Sequence, residues 1–285
     1  MGASDEPIAI DLQWMGRSNC IAAWRVGEVL VDCGPSTTVT RLLAELGDWR
    51  PRALLLTHVH FDHAGAAGAL ARRWPDLEIW VHRRGARHLA APERLEASAR
   101  RVFGPEFDKR FGTLEPVPSM NLHALDGGEL WRGFQVLDTP GHASHHLTFI
   151  DRSGWAFVGD LSGVRLGPGA PVLLPTPPPD VDLTAWSASI EAVAAWHPTA
   201  LALPHFGSVS EPELHLEATR EQLARHRDAA ADSPDEVTYI RTIRDDLTNA
   251  GVGSLAEDYE MVVPLDQNFL GLQRSLRKEE ARRDR

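Results

Sequence analysis

THVHFDHAG, residues 57–65, packs four candidate metal ligands, His58, His60, Asp62 and His63, into six residues. The run ALLL before it, residues 53–56, reads as a buried strand, and residues 65–74 after it read as a helix, so the cluster sits on a strand-to-helix loop. Alternate residues of an extended segment point the same way, which lets His58 and His60 reach one ion together. Asp62 and His63 lie where the chain turns into the helix and can face a second ion. Neutral imidazoles and a carboxylate suit zinc, or iron and manganese when more oxygen enters the shell. Read instead as a plain polar loop, the same residues would have to be dehydrated at a buried strand end without compensation.

Outward from this loop the chain alternates strands and helices. Residues 8–14, 20–26 and 28–32 read as three short strands punctuated by Gly16 and Gly27, the antiparallel opening of a sheet. Residues 37–47 place Val39, Leu42, Leu43 and Leu46 at helical spacing and end on glycine. A strand follows at 77–82. Residues 85–120 leave the rhythm with helix-like sequence and a proline-containing loop, an excursion placed to overhang the metal loop or to serve as a cap or dimer contact. Strands resume at 122–125 and 131–138, and LTFI and WAFVGD read as a hairpin around DRSG. The glycine- and proline-rich stretch 164–182 is a surface connection or a wall of the substrate pocket. A helix over 182–197 leads to the strand TALAL, and residues 210–230 form an amphipathic helix with a capping signal at its start. Another helix is predicted over 235–247; MVVPL and QNFLGLQRSLRKEE are left as appendage or helix. The succession argues a layered α/β architecture.

H-x-H-x-D-H after an apolar strand resembles the metallo-β-lactamase superfamily of metallohydrolases. Asp32 in VLVDCG is similar to the family's first motif, an acid that props the metal loop. His142 in DTPGHASHH resembles the third motif, Asp160 in FVGD the fourth and His205 in ALPHFG the fifth, and the likeness runs from about residue 8 to about residue 207. It implies an αβ/βα four-layer sandwich: a domain over 1–230 with a helical insertion near 85–120, and a C-terminal helical appendage over 231–285. It further implies that His58, His60 and His142 hold one ion, that Asp62, His63 and His205 hold the other, and that Asp160 bridges them. Two divalent cations roughly 3.5–4 Å apart, zinc first with iron or manganese as alternatives, would lower the pKa of a bridging water, so the implied nucleophile is a hydroxide rather than a side chain. Asp62 or a metal-bound oxygen is the candidate to hand a proton to the leaving group. No G-x-S-x-G elbow offers a serine nucleophile.

The family's members with this ligand set include glyoxalase II-like thioesterases and acyl-homoserine lactonases, which implies a small-molecule substrate: an ester, a lactone or a thioester. The alternative is a mononuclear non-haem iron persulfide dioxygenase of the same fold. No clear run of Lys and Arg suited to an anionic thiol follows residue 207, and Tyr239 and Tyr259, the only tyrosines, lie far from the last motif. His145 and His146 are candidate supporting donors or substrate contacts; His82, His88, His123, His197, His215 and His226 read as structural or surface. Trp14 and Trp186 fall near candidate pocket loops. Arg165 is read as a surface arginine, with pairing to an anionic substrate group as its functional alternative.

The 285 residues carry 43% hydrophobic and 24% charged side chains, an ordinary globular balance. A formal charge of −11 disfavours a nucleic-acid partner. No run is long enough to span a bilayer, the start MGASDEP has no signal-peptide pattern, and Glu6 breaks the myristoylation pattern, so the expected location is cytoplasmic with no membrane partner. Cys20 and Cys33 read as reduced and buried, with a ligand role for Cys33 the minor alternative. The basic ending RSLRKEEARRDR interleaves acids and reads as a solvated helix. A homodimer is left open.

Overall fold

The computed structural model describes residues 6–283 except Pro168; the expectations placed on the N-terminal five residues and on the last two lie outside it. The first half runs β1 (Ile8–Asp11), β2 (Ala22–Val26), β3 (Val29–Val31), α1 (Val39–Leu46), β4 (Ala53–Leu55), α2 (Phe61–Ala64), α3 (Ala67–Arg73), β5 (Glu78–His82), α4 (Arg83–Ala90), α5 (Glu93–Phe103), α6 (Glu106–Arg110) and β6 (Leu122–Leu125). The second half runs β7 (Leu130–Trp131), β8 (Phe134–Asp138), β9 (Leu147–Ile150), β10 (Trp155–Phe157), α7 (Leu183–Ala194), β11 (Ala200–Leu203), β12 (Gly207–Val209), α8 (Pro212–Asp232), α9 (Glu236–Asn249), α10 (Ala256–Val262) and α11 (Leu265–Arg283).

One sheet has the order β1-β2-β3-β4-β5-β6, antiparallel at its start and parallel from β3 to β6; the other has the order β12-β11-β10-β9-β8-β7, with only β10 and β11 parallel. Strand alternation makes the four layers. On β3 and β4, Val29, Val31, Ala53 and Leu55 point into the seam between the sheets, where they meet Phe149 and Phe157 of the other sheet. Leu30, Leu54 and Leu56 point the other way, onto Leu42, Leu46 and Leu70 of the first helical layer. Ile150, Leu201 and Leu203 likewise face Trp186, Leu216 and Leu272 of the second. β4 is buried on both faces, which is why ALLL carries no alternation. The expected αβ/βα sandwich is present, with helices continuing past it at the C-terminus.

Four local readings are corrected. The strand read over 8–14 stops at Asp11, because Gln13 and Met15 take positive φ and turn the chain. The helix read over 65–74 is α3, Ala67–Arg73, and a separate turn of helix, α2, carries Asp62 and His63 just ahead of it, with Gly65 between them pressed against the Pro35–Ser36 backbone. The single strand read over 131–138 is a hairpin: Arg132 and Gly133, at φ 46° and 96°, make a two-residue turn that pairs Trp131 with Phe134. The capping signal at the start of α8 is unused; Glu211 stands at the N-cap without a side-chain bond, and Pro212 opens the helix. Asp182 and Asp235 do cap α7 and α9, accepting from Ala185 N at 3.1 Å and Thr238 N at 2.8 Å. The boundary expected at 230 falls inside α8, and no helix among the described residues is long and apolar enough to cross a membrane.

Candidate metal centre

The seven predicted ligands come from four separate stretches, and the fold brings their donor atoms into two adjoining groups, His58, His60, His142 and Asp160 in one, Asp62, His63 and His205 in the other. In the first, His60 Nδ1 lies 3.0 Å from His58 Nε2 and 2.8 Å from His142 Nε2, and His142 Nε2 lies 3.3 Å from Asp160 Oδ2. In the second, His63 Nε2 and His205 Nε2 are 3.4 Å apart and lie 3.6 and 3.4 Å from Asp62 Oδ2. Asp160 joins them: its Oδ1 faces His63 Nε2 at 3.2 Å and His205 Nε2 at 3.5 Å, while its Oδ2 faces the first group.

The outward-facing atoms fix which nitrogens are free. His142 Nδ1 donates to Pro175 O at 2.8 Å, His205 Nδ1 to Cys20 O at 2.6 Å and His63 Nδ1 to Asp32 Oδ2 at 2.9 Å. Thr57 Oγ1 spends its hydrogen on Asp32 Oδ2 at 2.8 Å, so it accepts from His58 Nδ1 at 3.1 Å. Each of these four neutral rings therefore turns a bare Nε2 inward. Bare nitrogens and carboxylate oxygens crowded at such distances repel one another unless a cation sits among them. The separations suit one: a tetrahedral ion with bonds of about 2.0–2.1 Å has ligand-to-ligand edges of about 3.3 Å. Asp160 Oδ1, buried with no hydrogen-bond donor, makes the same demand.

Protons meet that demand when metal does not. Burial opposes a charge on His63, yet Asp160 and Asp62 outweigh it and push the ring well above its ordinary value. His205 moves up too, its burial outweighed by Asp62 and Asp160. Burial and the facing rings hold His58 well below its ordinary value, and burial with His142 lowers His60 to about 4. Against burial, His63 and His142 hold Asp160 well below the carboxylate range, and His63 and His205 bring Asp62 to about 2. A divalent ion therefore displaces protons from His63 and His205 but meets the histidines of the first group already neutral.

Local structure explains the placement. The Leu147 N–H bonds to Thr57 O at 2.7 Å, tying the metal loop of one sheet to the other. Asp32, at φ 55°, also accepts from Thr57 N at 2.8 Å. Gly141, at φ 147°, lets the turn carrying His142 lie on the backbone of Trp186, whose ring supports His142 edge-on with centroids 5.5 Å apart. A Cβ on Gly159 would press His146 Nε2 at 2.5 Å, so glycine is needed beside Asp160.

The remaining candidates fall outside the two groups. Cys33 is buried and donates weakly to His63 O at 3.3 Å, and both cysteines are free. His146 Nδ1 pairs with Thr139 Oγ1 at 2.8 Å behind the cluster. Arg165 is absent from the cavity beside the metal loop and lines a separate cleft with Ser208 and Ser210. His82 caps α4, His215 bonds to Ser162 O and His226 to the Tyr239 hydroxyl, as structural histidines do. Sequence reasoning missed Thr57 and the carbonyls of Cys20 and Pro175 as orienting partners. Thr57 stood in the quoted motif; a carbonyl acceptor has no residue signature. Trp14 does line the cavity, as do parts of 85–120 and of the proline-rich stretch.

Comparison with known proteins agrees with this geometry. A family model described as the metallo-beta-lactamase superfamily matches residues 18–205. A hydroxyacylglutathione hydrolase of Enterobacter sp. (strain 638) is 34% identical over 133 residues, 46% of this chain, and the match spans 41% of that protein's length. An archaeal metallo-beta-lactamase superfamily protein of Sulfolobus tokodaii superposes with a TM-score of 0.70 at 21% identity, covering 94% of this chain and 98% of that one. A third structure, solved in a di-iron-bound form, gives a TM-score of 0.50 at 26% identity over 76% of this chain and 94% of that one.

Proposed function

The chain belongs to the metallo-β-lactamase superfamily, and from that membership we propose that it is a dinuclear metal-dependent hydrolase of a small ester, lactone or thioester. The observation that carries the reading is Asp160, whose two oxygens face two complete sets of donors, His58, His60 and His142 on one side and Asp62, His63 and His205 on the other. A carboxylate so placed stabilises two adjacent cations better than one. Zinc is the first candidate for this nitrogen-rich set; iron enters through the di-iron form of a structural relative.

When bound, a pair of divalent ions polarises the carbonyl oxygen and supplies a nucleophile near neutral pH. The chain's own residues do the rest. Asp32, Thr57 and the carbonyls of Pro175 and Cys20 hold the rings in the tautomer that leaves Nε2 free. Asp62, 22% exposed at its side chain, is the carboxylate of the cluster most open to the cavity. Ionised at neutral pH, it accepts a proton from the attacking water and then returns it to the departing oxygen or sulfur, which balances the hydrolysis.

The mononuclear iron dioxygenase alternative leaves Asp62, His63 and His205 without a role. The test is hydrolysis of ester, lactone and thioester panels by protein loaded with zinc, manganese or iron. Turnover that appears with metal and vanishes in Asp160→Ala supports the proposal; oxygen uptake with a persulfide and no hydrolysis defeats it.

A further inference from the structure

Beside the cluster lies a cavity of about 160 Å³ that Asp62, His60, His142, Asp160 and His205 border on one side. Carbon lines most of the remainder. Leu95, Phe103 and Phe111 of the 85–120 excursion form one wall, and Met261, Val262 and Pro264 form the facing one. That second wall lies beyond residue 205, where the family match ends.

Asn268 and Arg110 on these walls are tied to the backbone, while Ser98 and Gln267 border the cavity as well. Asn268 accepts from Thr176 N at 2.8 Å and donates to Leu174 O at 2.7 Å. Arg110, the one Lys or Arg among the lining residues, donates to Met261 O at 2.9 Å and lies 5.9 Å from the ring centroids of both Trp14 and Phe103. That single bond leaves the Arg110 charge without a carboxylate partner among the described residues, so the cavity's selectivity rests on its carbon walls.

We infer that the site is built for a substrate with a compact apolar group of roughly six carbons beside the scissile bond, seated between the Leu95–Phe111 wall and the Met261–Pro264 wall. The size follows from volume: an apolar cavity of about 150 Å³ accepts benzene. The inference rests on the hydrolase reading for its reaction and on the cavity for its specificity. Conjugates that carry a large polar group beside the scissile bond, such as the glutathione thioesters that name one relative, are then poor substrates here. The apolar group belongs either to the acyl side or to the leaving alcohol.

Three measurements on metal-loaded, full-length protein separate these points. Hydrolysis of ethyl alkanoates varies the acyl side, hydrolysis of alkyl acetates varies the leaving side, and calorimetric titration with primary alcohols from ethanol to decanol reads the cavity without any reaction. We expect kcat/KM to rise about fourfold per methylene up to about six carbons in one ester series, and hexanol to bind on the order of 100-fold more tightly than ethanol. Val102→Trp, on the exposed rim of α5, shifts both optima to shorter chains. Alcohol affinity that rises with chain length while no ester is cleaved upholds the cavity and defeats the hydrolase reading. Alcohol affinity flat with length, or a hydroxyacyl glutathione thioester cleaved tenfold better than any hexyl ester, overturns the inference.

Discussion

Asp32→Asn removes one charge and almost no volume from beneath the metal loop, and its consequence follows from counting donors. Three meet the carboxylate: Thr57 N on Oδ1 at 2.8 Å, and Thr57 Oγ1 at 2.8 Å and His63 Nδ1 at 2.9 Å on Oδ2. An amide has one acceptor end. With its oxygen toward His63, its NH₂ opposes the Thr57 N–H and strands a buried donor, at a cost of about 1–3 kcal/mol. Reversed, its NH₂ faces His63 Nδ1, which must shed its proton; the proton reappears on Nε2, pointing at Asp62 and Asp160 in place of a metal. The residue's left-handed backbone, φ 55°, suits asparagine as well as aspartate, so no strain confuses the result. Losing a supporting partner of this kind costs roughly 10–100-fold in metal affinity, about 1.4–2.7 kcal/mol. In competition with a chromophoric zinc chelator, the ion held by His63 should weaken by that factor and the ion held by His58 by less, since Asp32 reaches His58 only through Thr57. Affinities within about twofold of the parent for both ions would refute the assigned tautomers.

Other expectations follow from the same geometry. His58→Ala and Asp160→Ala should each lower hydrolysis by more than the roughly 100-fold typical of supporting residues, with circular dichroism unchanged; full activity with metal content confirmed counts against the mechanism. Chelation should lower the melting midpoint by several degrees, because a ligand at 100 times its Kd stabilises by about 2.7 kcal/mol and a domain of this size shifts by roughly 2–4 °C per kcal/mol. Burial lowers His226 from 6.5 to about 4, so the unfolded chain takes up the proton first. Its contribution is complete above pH 6.5 and is lost as pH falls toward 4, by up to roughly 3 kcal/mol, and His226→Gln should flatten that part of the stability profile.

The convergence of the candidate ligands was legible because their chemistry is carried by residue type and their order by short motifs. His58 and His60 share a side through strand alternation, and TPG and FVGD mark the turns that present His142 and Asp160. The four layers were legible because ALLL and LEIWVH sit between helical periods. What escaped was long-range. Thr57 declares itself only once Asp32 is seen beneath it, 25 residues back along the chain, and nothing in a proline or a cysteine announces that its carbonyl orients a histidine. The cavity wall at Met261–Pro264 arises from residues more than 50 positions beyond the last ligand, brought over the site by α8, α9 and α11, whose buried faces pack on one another. WRGF hid a hairpin inside one apolar run, because a two-residue turn interrupts the alternation too briefly to show.

The central claim is that Asp160 joins two metal sites, and elemental analysis of metal per chain tests it most directly, on protein purified without added metal or chelator and on Asp160→Ala prepared alongside. The account predicts about two equivalents of zinc, manganese or mixed iron and zinc in the parent and clearly fewer in the variant. One equivalent of iron alone in the parent, or an unchanged two in the variant, would contradict it.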